Sequence, residues 1–304
     1  MDIRQLTYFI AIAECGSFTR AAEKLHIAQP ALSIAMKKLE QQLDMPLFDR
    51  SDRHIALTHE GEVLIQHARL ILQQVEDARI AMNELKGLQK GEVRLGVPSM
   101  LGSYYFPDIL MGFKSRYPKL KLTLVEAGTQ SIRSMLLNGE LDLGVIRSAD
   151  LPDSLEAEPL LTSEMVAVVS PNHEFSQYES VTFEQFFSQE LVMFKQGYFH
   201  RDYIDNVCQK HHLKPEIAFE TNLLPMILSI IRQEFAISAL LEMVTRHEPG
   251  LVAVPFSTPV HLNLAIAWRK NGYLSLADRA FMEFIKEHQR HRKEAVSRGV
   301  HAES

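Results

Sequence analysis

The spacing of the apolar residues changes twice along this chain, near residue 59 and again near residue 91. Before the first change, apolar residues recur every three or four positions, as in helices, over residues 4–14, 18–25 and 30–43. After the second change, short apolar runs typical of strands alternate with helical segments, which is typical of α/β domains. The sequence therefore predicts a chain of three parts, at residues 1–58, 59–90 and 91–304.

The first part has the pattern of a helix-turn-helix motif followed by a hairpin. Only three or four residues separate its helices, Ser17 can cap the second helix, and Pro30 suits the first turn of the third. The polar run 49–54 is typical of a hairpin tip, and residues 55–58 suit its returning strand.

The second part is predicted to be one long helix with an apolar seam. About 30 helical residues would reach roughly 45 Å. The seam alternates spacings of four and three residues, which is the heptad pattern of coiled coils, and its members are Leu64, Ala68, Ile71, Val75, Ala78, Met82 and Leu85. Such a helix needs a partner for its seam, most simply from a second copy of the chain. We therefore expect the seam to be a dimerisation surface.

The third part supplies about 200 residues, which suits an α/β domain of two small lobes. We expect lobe I at about residues 91–162 and 267–292, and lobe II at about 163–266. Residues 98–102 are predicted to form a loop after the first strand, and residues 165–169 a short strand. Ligands of such folds bind beyond the carboxyl ends of parallel strands, where helix N-termini present free N–H groups.

The charge of the chain at first disfavours a nucleic-acid partner. The whole sequence has 32 Lys+Arg against 38 Asp+Glu, a net charge of −6. Residues 1–90, however, hold 11 basic against 12 acidic residues, so most of the acidity belongs to the third part. If the chain binds DNA, its affinity would then come from a few basic side chains at defined positions and from several copies of the first part acting together in an oligomer. The overall charge of the chain would contribute little.

Several motifs of the first part resemble the winged helix-turn-helix of LysR-type transcriptional regulators. The match is carried by Gly16-Ser17-Phe18-Thr19-Arg20-Ala21-Ala22, by Gln29-Pro30-Ala31-Leu32-Ser33 and by Pro46-Leu47-Phe48-Asp49-Arg50. It is dense over about residues 1–65, and the plan of linker helix and α/β domain is similar to the family through about residue 292. The resemblance implies an all-α winged helix-turn-helix, a linker helix and an effector domain of two Rossmann-like lobes, built like a type 2 periplasmic binding protein.

The resemblance also implies which residues meet DNA. The recognition helix and its neighbour would use Thr19, Arg20, Gln29, Pro30, Ala31, Ser33, Ile34, Lys37 and Lys38, and the wing would use Arg50 and Arg53. The family commonly has a basic or polar residue after the serine, whereas this chain has Ile34. An ordinary amphipathic surface helix with solvated lysines is the alternative interpretation of the third helix.

In the α/β part, the resemblance implies a ligand cleft between the lobes. Its effector-binding residues would be Ser99, Met100, Thr129, Arg147, Tyr198, Phe199, His200 and Asn222. From the residues alone, Ser99 and Thr129 could equally be helix N-caps, and Arg147 could equally pair with Asp142, Asp150 or Asp153. The aromatic residues could equally belong to the core of a lobe.

We therefore predict a sequence-specific, DNA-binding transcriptional regulator that responds to a small anionic metabolite. The resemblance implies homotetramers built as dimers of dimers. The alternative is an enzyme or carrier of the same two-lobed fold, which the absence of phosphate-loop, nucleophile and zinc motifs disfavours. No cofactor, metal site or membrane partner is expected, and the two cysteines and the lack of a signal sequence indicate the cytoplasm.

Overall fold

The computed structural model describes residues 1–49, 55–84 and 91–297, with side chains to residue 291. Its contacts divide the chain into two units, Met1–Gly87 and Leu88–Ser304. None of the helices in the described ranges is both long enough and apolar enough to cross a membrane.

The N-terminal unit contains four helices and a two-stranded hairpin within its described residues. These elements are α1 (Ile3–Cys15), α2 (Phe18–Lys24), α3 (Gln29–Leu43), β1 (Phe48–Asp49), β2 (Ala56–Leu57) and α4 (His59–Glu84). The Ser17 side chain accepts a bond from the Arg20 N–H and caps α2, as the sequence predicts. β1 and β2 pair antiparallel, Phe48 with Leu57, which confirms the two strands of the hairpin, whereas residues 50–54 of its predicted tip lie outside the described residues.

One apolar core holds this unit together. α1, α2 and α3 contribute Phe9, Ile12, Phe18, Leu32 and Met36, and the hairpin and α4 add Phe48, Ile65 and Ala68. The first half of α4 is therefore part of the N-terminal unit and not a free-standing linker.

The C-terminal unit is an α/β domain with two sheets in its described residues. The larger, seven-stranded sheet has the order β10-β6-β11-β5-β3-β4, with β9 also paired to β6, and the smaller sheet pairs β7 with β8. The strands are β3 (Gly91–Val97), β4 (Leu120–Glu126), β5 (Leu143–Arg147), β6 (Leu155–Val169), β7 (Glu190–Met193), β8 (Glu216–Glu220), β9 (Ser238–Leu241), β10 (Val252–Val254) and β11 (Val260–Arg269). The helices are α5 (Ser99–Tyr104), α6 (Phe106–Arg116), α7 (Thr129–Leu137), α8 (Phe183–Phe187), α9 (Phe199–His211), α10 (Leu224–Arg232), α11 (Met243–His247) and α12 (Leu276–Ser297).

The two long antiparallel strands β6 and β11 run from one lobe into the other. Residues 155–165 of β6 pair with β11, whereas the end of β6 pairs with β9 and β10 of lobe II. The predicted lobe boundaries fall inside these two strands. The parallel strands β3, β4 and β5 lie in lobe I, and the carboxyl end of β4 lies toward lobe II, because the Gln130 N–H beyond it donates to the Gly197 carbonyl at 3.3 Å.

Two expectations about local structure are wrong. Residues 98–102 are not a loop, because α5 begins at Ser99 and the Gly102 N–H donates to the Pro98 carbonyl. The strand expected at 165–169 begins ten residues earlier, at Leu155. That first stretch of β6 has exposed and half-buried residues among the buried ones, so it lacks the continuous apolar run that identifies a buried strand.

Candidate DNA interface and effector cleft

The third helix of the N-terminal unit is buried on one face only. Leu32, Met36 and Leu39 lie in the core at 0% exposure. The described residues of the predicted DNA-contact set are all exposed or half-exposed, and they are Thr19, Arg20, Gln29, Pro30, Ala31, Ser33, Ile34, Lys37 and Lys38. Arg50 and Arg53 of the predicted set lie outside the described residues.

This exposed face of α3 offers groups that fit a DNA major groove. Gln29 Nε2 donates to Ser33 Oγ at 2.9 Å, and Gln29 Oε1 has no hydrogen-bond partner among the described residues, so it can accept from a base edge. Lys37 and Lys38 form no ion pair with any residue that the structure describes, so their charges are available for phosphates. Ile34 is 68% exposed at the centre of the face, where an apolar side chain can contact a thymine methyl.

Hydrogen bonds from α3 and from Thr58, the residue before α4, hold the start of the hairpin. Glu40 Oε1 accepts from the Leu47 N–H at 2.9 Å, and the Thr58 hydroxyl donates to the Pro46 carbonyl at 2.7 Å. The approach of α4 is so close that a Cβ on Gly61 would lie 2.2 Å from the Leu47 carbonyl oxygen. The start of the hairpin is therefore fixed to α3 and α4.

The predicted dimerisation seam on α4 has one half that the protomer's own core covers and one half that is exposed. Ala68 is fully buried in the core of its own protomer, and Leu64 and Ile71 pack against the same core. The expectation that the whole seam faces a partner is therefore wrong for Ala68. Val75, Ala78 and Met82 are exposed, Val75 at 46% and Met82 at 63%, and remain available to a partner, whereas Leu85 lies outside the described residues.

On the lobe I side of the predicted cleft, Ser99 lies two residues after the end of β3 and Thr129 three residues after the end of β4. Both are the first residues of their helices, and the N-cap positions belong to Pro98 and Gly128, so the alternative that the two hydroxyls are N-caps is wrong. Ser99 is 8% and Thr129 is 4% exposed. Neither side chain makes a hydrogen bond to the part of the chain that the structure describes, which leaves both hydroxyls available to a ligand.

Two further cleft candidates hold structural positions. Met100 is buried, and its Sδ accepts from the Leu241 N–H at 3.5 Å, which ties α5 to the end of β9. Asn222 Oδ1 accepts from the Lys195 N–H at 3.1 Å, which joins the two loops beside β7 and β8.

The aromatic candidates of lobe II pack mainly against each other. The Phe194 ring lies 4.3 Å from the His200 ring and 5.1 Å from the Tyr198 ring, and Phe199 lies 5.0 Å from His200. Phe199 and His200 are each 1% exposed, so they occupy the core of the lobe rather than an open wall of the cleft. Tyr198 reaches the lobe interface, because a Cβ on Gly128 would lie 3.1 Å from its ring.

Burial has a large effect on the imidazole of His200. Neither ring nitrogen has a hydrogen-bond partner within the described chain. Burial, with a smaller contribution from the neighbouring Arg201 charge, lowers the pKa of His200 to about 3, so the ring is neutral.

Arg147 ends β5 and pairs with a carboxylate three residues on. Its Nε and Nη2 each donate to Asp150 at 2.8 Å, in a bidentate arrangement. Asp142, a second candidate partner, instead pairs with Arg94. Of the alternatives that the sequence left open, the structure contains the ion pair with Asp150, and a direct role of Arg147 in effector binding stays a prediction.

Two residues that sequence reasoning did not identify connect the lobes beside Thr129. Gln130 Nε2 donates to Asp202 Oδ2 at 2.9 Å, and the Gln130 N–H donates to the Gly197 carbonyl at 3.3 Å. The only sequence signals for them are that Gln130 adjoins Thr129 and that Asp202 is an acidic residue in the first turn of its helix.

Comparison with known families decides what this architecture is. Residues 3–62 match the model of the bacterial regulatory helix-turn-helix protein, lysR family, and residues 86–290 match the LysR substrate binding domain. The chain belongs to the LysR family of transcriptional regulators. It is therefore a DNA-binding regulator with an effector-binding domain and not an enzyme.

Relatives and solved structures agree with this assignment over nearly the whole chain. An uncharacterised HTH-type transcriptional regulator of Bacillus subtilis, YwbI, is 32% identical over 95% of this chain and 97% of its own. A full-length OxyR variant from Pseudomonas aeruginosa is 25% identical, with a TM-score of 0.72 over 94% of this chain and 95% of that one. The fold is also that of full-length CbnR complexed with its target DNA, at 22% identity and a TM-score of 0.66 over 94% and 99% of the two chains.

Within a LysR-family regulator, the described geometry assigns the two halves of the chain to different tasks. The exposed face of α3 belongs to the DNA-binding domain, and the region between β3, β4 and α9 belongs to the effector domain.

Proposed function

We propose that this LysR-family regulator reads its operator with the exposed face of α3 in the major groove and with the hairpin β1–β2 beside it. The observation that supports this most strongly is the common exposure of the predicted contact residues, with Gln29, Ser33 and Ile34 on the first turns of α3. These residues provide an acceptor, a hydroxyl and an apolar contact for base edges, whereas Lys37 and Lys38 provide charge for the backbone.

Replacing Lys37 with Ala should weaken binding to the upstream region of the regulator's own gene about fivefold and lower the salt slope by about one. The reason is the loss of one phosphate contact, which carries no sequence information. A gel-shift titration at several salt concentrations measures both quantities. Lys210→Ala, which removes an exposed lysine from α9 of the effector domain, is the matched control and should change neither. Equal effects of the two substitutions would contradict the assignment of Lys37.

We propose further that the effector is a small anionic metabolite. The cleft offers the free hydroxyls of Ser99 and Thr129 and the N-terminus of α7, all of which are hydrogen-bond donors to an acceptor group. Because Asp150 already neutralises Arg147, these donors would have to carry the recognition.

A thermal-shift screen of the full chain tests this effector class. Small carboxylates and phosphates should raise the melting temperature of the wild-type chain by mass action. Each active anion is compared with its neutral amide or alcohol, and Thr129→Val should abolish the shift without changing the melting temperature of the unliganded domain. Stabilisation by the neutral compounds alone would overturn the anionic assignment.

The exposed half of the α4 seam supports self-association. Val75, Ala78 and Met82 form an apolar strip that a single protomer leaves in water. A second α4 helix covers such a strip most simply, so we propose a dimer through α4 and, from the family resemblance, a homotetramer of two dimers. A regulator of this kind acts where the chromosomal DNA is, which supports the cytoplasm as its location.

A further inference from the structure

The contact between the lobes has a definite hydrogen-bonding pattern. The Asp202 carboxylate on α9 of lobe II accepts from Gln130 Nε2 of lobe I through Oδ2, at 2.9 Å, and from the Gly197 N–H of its own lobe through Oδ1, at 3.0 Å. The Gln130 N–H in turn donates to the Gly197 carbonyl at 3.3 Å. Gln130, Gly197 and Asp202 thus form a closed ring of three hydrogen bonds, two of which cross between the lobes.

The backbone of both lobes is shaped for this contact. Gly197 has φ +90°, a conformation that residues with side chains rarely adopt. A Cβ on Gly128 would lie 2.3 Å from the Gly197 carbonyl oxygen, so the two loops approach as closely as they do only because Gly128 has no side chain. An incidental contact between two loops would not need a glycine at the point of closest approach.

The ring also gives a hydrogen-bond partner to a backbone N–H group that has none within its own helix. Gln130 is the second residue of α7, and the first N–H groups of a helix have no partner within it. The Gly197 carbonyl of the other lobe supplies that partner. The lobe contact is therefore matched to the end of α7, directly beside the Thr129 hydroxyl.

We propose that Gln130, Gly197 and Asp202 form a latch that holds the two lobes closed beside the effector site and fixes Thr129 relative to Tyr198. Gln130 is exposed and Asp202 is half-buried, so water competes for these hydrogen bonds and each of them is weak. A latch of that strength opens reversibly, which suits a site that must admit and release a ligand. The role of the latch in the effector response rests on the proposed function, whereas the closure itself does not.

Hydrogen exchange of the full chain, followed by mass spectrometry without DNA or effector, tests the latch. Gln130→Ala in lobe I should raise the exchange rate of amides 196–199 in lobe II about three- to tenfold, because it removes one of the two hydrogen bonds that cross between the lobes. Asp202→Ala in lobe II, which removes the acceptor of Gln130 Nε2, should likewise raise exchange at amides 129–132 in lobe I.

A substitution that adds a negative charge tests the same contact more stringently. Gln130→Glu places a second carboxylate against Asp202 and should raise exchange in lobe II above the level of Gln130→Ala. Adding Asp202→Asn to Gln130→Glu should reverse that excess. Gln209→Ala, an exposed glutamine on the last turns of α9, is the control and should leave both segments unchanged.

The proposal is overturned if each substitution raises exchange only within its own lobe, or if Gln130→Glu behaves like Gln130→Ala. A failure of the chain to bind DNA would leave the exchange result as it is, so the latch and the proposed function are tested separately.

Discussion

Arg201→Ala is expected to be the most destabilising substitution that we describe, lowering the stability of the effector domain by about 3 kcal/mol. Arg201 is 7% exposed, and its guanidinium donates to Asp205 Oδ1 and the Phe194 carbonyl, at 2.8 and 2.9 Å, and to the Glu220 carboxylate. It joins the start of α9 to the ends of β7 and β8. Alanine would leave the Phe194 carbonyl and two carboxylates without their donor.

The melting temperature of the effector domain measures this loss. Trp268 is the chain's single tryptophan and lies on β11, so its fluorescence follows the effector domain and not the DNA-binding domain. For a domain of this size, about 3 kcal/mol corresponds to a drop of roughly 6–12 °C.

Arg246→Ala is the matched control for Arg201→Ala. Arg246 also pairs with a carboxylate four residues away in lobe II, but its side chain is 62% exposed, so the loss should be under about 1 kcal/mol. If the two variants melted at the same temperature, the guanidinium of Arg201 would not hold the lobe together.

His200→Leu is expected to stabilise the effector domain, and to do so more strongly as the pH falls. At pH 8 leucine removes two buried ring nitrogens that lack partners within the described part of the chain, which should stabilise the domain by about 1 kcal/mol after some loss of packing. The neighbouring rings of Phe194 and Phe199 offer an apolar environment that suits leucine.

The pH dependence follows from the depressed pKa of His200. The pKa is about 3 in the folded chain, against an ordinary value of 6.5, so between these values the unfolded chain binds a proton that the folded chain does not. The wild type therefore loses stability as the pH falls below about 6.5, by roughly 2 kcal/mol at pH 5. His200→Leu lacks this loss.

The difference in melting temperature between His200→Leu and the wild type should accordingly widen from pH 8 to pH 5. His261→Gln, which replaces an exposed histidine on β11, should show no such widening. A constant difference across this range would mean that His200 is not held neutral by burial.

The sequence predicts the fold where local chemistry determines it. The 3.6-residue spacing placed α1, α2 and α3 within a residue or two, because the buried face of each helix supplies the periodicity. The spacing does not indicate α5, because a stretch containing Ser99 and Gly102 has the composition of a loop, and its helix depends on burial of Met100 and Leu101. The heptad spacing predicts that the whole seam faces a partner, because spacing alone does not show that the protomer's own core covers Ala68.

For the candidate sites too, local sequence patterns indicate which faces are exposed but not which distant residues come into contact. The exposed face of α3 follows from which residues are apolar, so the sequence could indicate it. Arg147 had three aspartates within reach, and only the fold shows that Asp142 is taken by Arg94 and that Asp150 is the partner. Gln130 and Asp202 are 72 residues apart, and their contact arises from the way the chain crosses between lobes on β6 and β11.

The measurement that tests the account most directly is a salt titration of the full chain on two DNA fragments of equal length. One fragment is the region upstream of the regulator's own gene, and the other is the same sequence scrambled. The account predicts tight, salt-sensitive binding to the first fragment and much weaker binding to the second, since a nearly neutral DNA-binding domain has little bulk attraction for DNA. Equal binding to both fragments at every salt concentration, or binding to neither, would contradict it.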